Sequence, residues 1–300
     1  MTRPTPLVPA IQPAREAEGA HAAGEYGALP VWDLGALYQG PDDPALAADL
    51  ETSGKEAQAF AERYEGKLGT LDGDGLAEAV KAYEAMQSRL GRVMSFAMLR
   101  YAQNTQDPAR AQMMGNLQVQ VTALTQPMVF FTLELNRLSA DKLEAAYAES
   151  AALKRYNPWL DRVRALAPHQ LSDELEKFLH DMSVVGASAW NRLFDETMSG
   201  LTFNVDGETL ALEATLTLLQ DRDRAKRESA GRAVAQVLGE NIRLFTLITN
   251  TLAKEKEIED RWRRMPAPDH GRHLANQVCE DIEGGKRDLD GGPAGHLRRR

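Results

Sequence analysis

The histidines are the first residues in this sequence that could carry chemistry, because imidazole is a common ligand of zinc. Zinc hydrolases often use His-Glu-x-x-His, whose spacing holds both rings on one helix face while the glutamate activates water. None of the six histidines begins this motif, and His180 is followed by Asp181. The pair His270 and His273 has no third ligand nearby, so it favours a polar loop entering a helix over a zinc site.

Nucleophilic, phosphate and calcium chemistry also lack a complete motif. Cys279 is the only cysteine, and no fixed base stands beside it in the sequence, which is typical of an unreactive thiol. The sequence contains no Gly-x-Ser-x-Gly, Walker-type loop or Gly-x-Gly-x-x-Gly. Residues 72–75, Asp-Gly-Asp-Gly, lack the later ligands of a calcium loop and predict a turn instead. We therefore expect no catalytic, cofactor-binding or metal-ligating residue in this chain.

Two basic clusters could bind anions, but each has a simpler interpretation. The cluster at 222–227 alternates with acidic residues, which is typical of a solvated helix face. Arg261, Arg263 and Arg264 surround Trp262, a pattern that would suit nucleic acid or a peptide carboxylate but more simply compensates a helix C-terminus. A net charge of -9 also argues against nucleic acid as a partner.

Composition predicts a protein without a membrane span, in a reducing compartment. No run approaches the roughly 18 apolar residues of a spanning helix, and a single cysteine excludes an internal disulfide. Residues 1–28 are rich in proline and have no signal-peptide core, so they predict a disordered leader and a cytoplasmic protein. Residues 279–300 are rich in glycine and charge, and they predict a disordered tail.

Between these ends, helical periodicity dominates and predicts an all-α domain. Helix starts are expected at Asp43-Pro44, Asp107-Pro108, Ser139, Asn157-Pro158 and Ser172. Pro127 should kink the helix that contains it. One helix is expected from Asp221 to about Arg264.

Two apolar stripes are expected to be buried on the helices. The first is the inner face of the helix after Ser172 and comprises Leu175, Phe178, Leu179 and Met182. The second fills the core with methionine and comprises Met86, Met94, Met98, Met113 and Met114.

One segment interrupts the helical pattern. Residues 201–212 alternate apolar and polar side chains on both sides of Asp206-Gly207, a dipeptide that favours a two-residue hairpin turn. The sequence thus predicts a multi-helix domain with one small β-hairpin, which needs neighbouring helices for support.

Short blocks across residues 29–278 resemble one known family. The clearest are Pro168-His169-Gln-Leu171-Ser172-Asp-Glu174-Leu-Glu176 and Ala189-Trp190-Asn-Arg-Leu193-Phe194-Asp-Glu196. In this order and spacing the chain resembles the N-terminal half of the oligoendopeptidase F family of thimet-type zinc metallopeptidases. Further matching blocks occupy 29–38, 95–99, 130–138, 201–203, 261–263 and 272–278.

The resemblance implies a helical wall with a small hairpin, facing a catalytic half that this sequence does not contain. Intact members of the family are cytoplasmic enzymes that hydrolyse short peptides by zinc-assisted attack of water. Their zinc ligands belong to the catalytic half, so no ligand or general base has a counterpart here. The family's zinc is accordingly not expected in this chain, and short peptides are its expected partner class.

Three hypotheses follow for the function. The chain is a truncated or frame-disrupted peptidase, inactive alone, whose last twenty-odd residues depart from the family pattern. Alternatively, it is one subunit of a split peptidase whose catalytic half is a separate chain. A third hypothesis is a stand-alone helical module for peptide binding or protein interaction, with apolar surface exposed.

Overall fold

The computed structural model describes residues 33–278, and in this part of the chain the fold is all-α with one two-stranded antiparallel hairpin. The predictions for the leader 1–28, the tail 279–300 and Cys279 lie outside the described residues. The helices are α1 Pro44–Tyr64, α2 Gly73–Gln103, α3 Pro108–Thr125, α4 Val129–Arg137, α5 Ala140–Glu149, α6 Ala151–Lys154, α7 Asn157–Arg164, α8 Asp173–Met182, α9 Ala187–Gly200, α10 Leu212–Leu218, α11 Arg224–Glu240, α12 Ile242–Trp262 and α13 His270–Ala275. No helix in 33–278 is long and apolar enough to cross a membrane.

Side chains that cap the helices explain where several of them begin. Asp43 Oδ1 accepts a hydrogen bond from Ala45 N at 2.9 Å, and Asp107 Oδ1 does the same for Ala109 N at 2.9 Å. Ser139 Oγ accepts from Lys142 N at 3.2 Å at the start of α5. Each bond satisfies a backbone donor that has no partner inside the helix. These predicted helix starts are confirmed.

Three boundaries differ from the sequence prediction. The expected turn at 72–75 is instead the start of α2, because Asp72 Oδ1 accepts from Gly75 N at 2.8 Å and caps the helix. Pro127 does more than kink its helix: a 3₁₀ turn, Gln126–Met128, separates α3 from α4. The single helix expected over 221–264 is two helices, since Asn241 Nδ2 bonds the Val237 carbonyl at 2.9 Å and ends the first.

The hairpin forms where the alternation predicts it. Strand β1, Thr202–Val205, pairs with β2, Glu208–Ala211, in the register Thr202 to Ala211 and Val205 to Glu208. Asp206 and Gly207 make the turn at positive φ, 53° and 89°, which a primed two-residue turn requires. Phe203 and Val205 are buried and pack against Ala230 and Ala233 of α11, so a helix supports the hairpin.

The described residues form two compact units, each with its own apolar interior. The first unit comprises residues 33–54, Ser88–Leu124 and Asp181–Ala253, and the second comprises Lys55–Gln87, Thr125–His180 and residues 254–278. In the first unit, Tyr38 packs edge-on to Phe96 at a centroid distance of 5.3 Å, within a cluster of buried apolar side chains. These include Leu46, Val93, Ala97 and Leu117.

The second unit is held by an aromatic cluster. Phe60 lies 5.1 Å from Phe131 and 5.7 Å from Phe130 between ring centroids, and Tyr83 lies 4.8 Å from Phe131. Trp159 extends the cluster at 5.9 Å from Tyr83. Aromatic rings bury large apolar areas and prefer these offset and edge-on arrangements, so this cluster is the main packing centre of the unit.

The buried face expected for α8 is wrong for Phe178 and Met182, which are 57% and 42% exposed. The inner side of α8 instead carries Glu176, whose side chain is only 13% exposed and is paired with Arg263. Two residues further along a helix, a side chain points about 200° away, so Phe178 faces outward. The ion pair between Glu176 and Arg263 therefore occupies the inner side of α8, where apolar periodicity predicts only apolar side chains.

The methionine stripe also departs from the prediction at one position. Met86 is buried, but Met98 is 54% exposed. The buried side of α2 carries Val93, Phe96 and Ala97, and Met98 lies about 100° further around the helix than Ala97.

Candidate functional site

Four of the histidines lie in the described residues, and each has a local partner. His180 Nε2 is 3.0 Å from Thr125 Oγ1, and His273 Nε2 is 3.9 Å from Asp269. His169 Nδ1 is 3.0 Å from the Arg263 carbonyl oxygen and therefore donates a hydrogen bond to it. Each of these three imidazoles therefore has a structural partner within the protein.

The structure does not assemble a zinc site from these groups. His270 begins α13, as expected for a polar loop entering a helix, and its ring contacts that of His169 edge-on at 5.2 Å. Within residues 33–278, no group of three or more His, Cys, Asp or Glu side chains could hold a metal ion. The described residues therefore do not fit the zinc of the resembled family, and no hydrolytic step through a metal can be derived from them.

The strongest electrostatic cluster lies in the second unit, around Arg263. Its Nη1 and Nη2 atoms bond the two carboxylate oxygens of Glu176 at 2.7 and 3.0 Å, a bidentate arrangement. Its Nε bonds Glu259 at 2.7 Å, and Nη1 also reaches the His169 carbonyl at 3.3 Å. Glu176 accepts a further bond from Leu171 N at 2.8 Å. The bonds from Arg263 use four of the five N–H donors of its guanidinium.

Burial and pairing act in opposite directions on this pair. Burial alone would raise the pKa of Glu176, but the bonds from Arg263 and the Leu171 amide outweigh it, so the pKa of Glu176 is lowered. The hydrogen bond to Glu176 raises the pKa of Arg263 in turn, and burial opposes this shift less strongly. Both groups stay charged at neutral pH and connect the end of α12 to the first turn of α8.

This network gives a structural role to two of the short blocks that carry the family resemblance. The block 168–176 supplies Glu176 and the His169 carbonyl, and the block 261–263 supplies Arg263. The sequence interpretation of the basic cluster as the end of a helix is confirmed, since α12 ends at Trp262. Because most of its donors are used inside the protein and its side chain is only 19% exposed, Arg263 is poorly placed to bind a nucleic acid or a peptide carboxylate.

A surface suited to ligand binding lies in the first unit, on the exposed side of α3. Three carboxamide side chains follow one another at every fourth position and are exposed: Gln112, Asn116 and Gln120. We call them the carboxamide ridge. None of them makes a hydrogen bond to another residue in 33–278. Sequence reasoning missed these residues because amides belong to no catalytic motif, although their spacing could be read from the sequence.

Two open surface depressions, which we call cavities, flank the ridge. The larger, about 450 Å³, lies between α3 and the segment 184–196 and is lined by Val119, Val184, Val185, Arg192 and Glu196 among others. The smaller, about 300 Å³, lies on the other side and is lined by Pro41, Leu46, Met113 and Leu117 among others. Gln112 and Asn116 line both cavities and so stand between them.

The two charged side chains in the larger cavity have opposite signs. Arg192 Nε lies 4.0 Å from Glu196 Oε1, beyond hydrogen-bond distance, and both side chains are partly exposed. Nearby, burial raises the pKa of the Tyr101 hydroxyl, and the negative charges of Glu196 and Asp195 raise it further. The surface therefore combines apolar walls, neutral amides and one loosely paired arginine, and its chemistry suits binding rather than bond cleavage.

Comparison with known proteins connects this fold to a peptidase family. A family profile described as Oligopeptidase F matches residues 134–203, which run from α4 to strand β1. Oligopeptidase PepF of Bacillus subtilis (strain 168) is 27% identical over 234 residues, covering 75% of this chain and 34% of the relative.

A solved structure has the same fold. The crystal structure of oligoendopeptidase-F from Enterococcus faecium superposes with a TM-score of 0.70 at 18% identity, covering 82% of this chain and 49% of that protein. The chain thus spans about a third to a half of the length of these relatives. Profile, sequence and fold thus all support a relationship between this chain and an N-terminal region of the oligoendopeptidase F family.

Proposed function

We propose that this chain supplies the non-catalytic, peptide-facing wall of an oligopeptidase F-type enzyme and does not hydrolyse peptides by itself. The observation that carries the proposal is the match to Oligopeptidase PepF, which extends over 75% of this chain but only 34% of that relative. Short peptides are the substrate class that the relative's name indicates. Hydrolysis itself is assigned to residues outside the region of the relatives that this chain matches.

The sequence supports the second part of the proposal. Metal-assisted hydrolysis needs a cation that polarises the carbonyl group and lowers the pKa of a bound water molecule. The 300 residues contain no His-Glu-x-x-His, and the described part of the chain gathers no three potential ligands. A zinc ion supplied in solution would therefore find no preformed site in 33–278.

The test is an assay with an internally quenched fluorescent oligopeptide. The purified 300-residue chain is incubated with the peptide and zinc chloride, beside intact Oligopeptidase PepF of Bacillus subtilis as a positive control. We expect no zinc-dependent fluorescence increase from the 300-residue chain. Turnover that requires zinc and disappears with a chelator would overturn the proposal.

A helical binding or interaction module is the second candidate, and exposed apolar side chains favour it. In the first unit Val185 is 58% and Val119 56% exposed; in the second, Phe178 is 57% and Trp262 56% exposed. Exposed apolar surface of this kind often marks an interface. The occupant could be a separate catalytic chain, as in a split peptidase. Co-purification of this chain from its source cell would recover such a partner, and a single species on sizing would exclude a stable one.

A further inference from the structure

The carboxamide ridge has a spacing that a second polypeptide can match. Gln112, Asn116 and Gln120 are four residues apart on α3, which places successive side chains about 6 Å apart along the helix axis. An extended peptide repeats every two residues, or about 6.6–6.8 Å. The mismatch is below about 1 Å per repeat, and flexible amide side chains can absorb it.

We propose that the carboxamide ridge binds the main chain of an extended peptide, independently of that peptide's sequence. Each carboxamide carries both donors and an acceptor, so it can pair with the N–H and C=O groups along one edge of a strand. Main-chain pairing of this kind gives affinity without reading side chains. The inference rests on the proposed function for its ligand class and names the surface that would bind that class.

The two cavities fit the side chains of such a peptide. When one edge of an extended peptide faces the ridge, successive side chains point to opposite sides. Those sides are the cavities of about 450 and 300 Å³, which Gln112 and Asn116 separate. Val119 and Val185 line the larger cavity, and Leu46 and Leu117 line the smaller, so both offer apolar contact.

The charge of this surface favours a neutral main chain over an ionic ligand. The ridge itself carries no charge, and the two charged residues lining the cavities, Arg192 and Glu196, have opposite signs. A phosphate or nucleic acid would need a basic face, which this surface lacks. A peptide group is neutral and bipolar, as the carboxamides are.

The experiment is an NMR titration of the full chain, labelled with ¹⁵N at Gln and Asn. The probe is an uncharged eight-residue Ser/Thr peptide, acetylated and amidated, so that neither end carries a charge. We expect the side-chain amides of Gln112, Asn116 and Gln120 to shift and the amide of Gln58, exposed on α1, to stay unchanged. Absence of any shift at the ridge would overturn the inference.

Peptides methylated on every main-chain nitrogen test the pairing directly. Because an extended peptide can present either edge to the ridge, methylation at alternate nitrogens leaves one complete edge of N–H groups, whereas methylation at every nitrogen removes both. We expect the fully methylated peptide to bind at least about tenfold more weakly than the unmethylated peptide, since it loses several hydrogen bonds. Equal affinity of the two peptides would contradict the inference.

A triple variant locates the site. Gln112→Ala, Asn116→Ala and Gln120→Ala in combination should weaken peptide binding at least about tenfold, whereas Gln58→Ala should leave it unchanged. Alanine favours helix at exposed positions, so α3 should still form. Undiminished binding by the triple variant would refute the proposal that the ridge binds the peptide. The proposed function would still be tested by the separate hydrolysis assay.

Discussion

At the scale of single residues, Arg263 and Glu176 show how one pair sets local structure in the second unit. Their side chains are 19% and 13% exposed, and the pair is bidentate. Removing one partner of such a pair leaves the other charge poorly solvated. Loss of one partner is therefore expected to destabilise the fold by more than the intact pair stabilises it.

We expect Glu176→Gln to lower the free energy of unfolding by about 2 kcal/mol, less than the roughly 3–5 kcal/mol of a fully buried pair, because Glu259 still contacts Arg263. Urea unfolding measures the difference. The matched control is Glu228→Gln on α11, whose exposed pair with Arg232 should contribute less than about 1 kcal/mol. Equal losses in the two variants would contradict the structural role of Arg263.

The same pair predicts a pH dependence with a definite sign. The pKa of Glu176 is lowered in the folded protein, so its contribution is present above the unfolded-state value and is lost as pH falls through the folded-state value. The stability gap between the wild-type chain and Glu176→Gln should therefore shrink as pH falls below about 4.3, the ordinary pKa of glutamate. Unfolding curves above and below this pH check it, and a gap that widens on acidification would oppose it.

At the scale of elements, two glycines in α2 differ in whether a larger side chain would fit. A Cβ at Gly73 would lie 2.4 Å from the Ala146 carbonyl oxygen of α5, whereas nothing lies within 4 Å of a Cβ at Gly91. Gly73 N also donates to Glu149 at 3.0 Å. The start of α2 therefore packs in close contact with the end of α5, and only glycine allows the two backbones to approach so closely.

Gly73→Ala should lower the free energy of unfolding by about 1–3 kcal/mol, because the two backbones must separate. Gly91→Ala in the same helix should raise it by up to about 1 kcal/mol, since alanine is the better helix former. Thermal unfolding of both variants gives the comparison. A neutral Gly73→Ala would mean that α2 and α5 do not approach as described.

Element types were predictable from the sequence, but the rotation and ends of several elements were not. Aspartate and serine caps and the Asp206-Gly207 turn act locally, so the helix starts and the hairpin could be read directly. The exposure of Phe178 could not, because it depends on a partner 87 residues from Glu176. The break at Asn241 depends on a side chain that competes with the backbone, and apolar periodicity does not detect it.

The candidate binding surface could not be predicted from the sequence for a related reason. Sequence motifs for catalysis consist of reactive groups, whereas the carboxamides of α3 are unreactive. Their significance arises only when cavities are found on both sides of Gln112 and Asn116. The resemblance to the oligoendopeptidase F family, in contrast, could be read from short blocks such as 168–176. That block also supplies Glu176, which pairs with Arg263 of another block.

At the scale of the whole molecule, the chain is a helical region that matches part of much longer peptidases. It spans 34% of Oligopeptidase PepF and 49% of the Enterococcus faecium structure. The proposal assigns peptide contact to this region and hydrolysis to residues elsewhere in such enzymes.

We expect the isolated chain to bind an apolar dye more strongly, per unit of mass, than intact PepF does, because valine and aromatic side chains are exposed on its surface. Similar dye fluorescence from both proteins would count against uncovered apolar surface.

The most direct test of the central claim is the zinc content of the full 300-residue chain, measured by elemental analysis after equilibration with zinc and exhaustive dialysis. The proposal predicts far less than one zinc per chain, because the described residues gather no ligand set. One tightly held zinc per chain, together with zinc-dependent peptide cleavage, would contradict it.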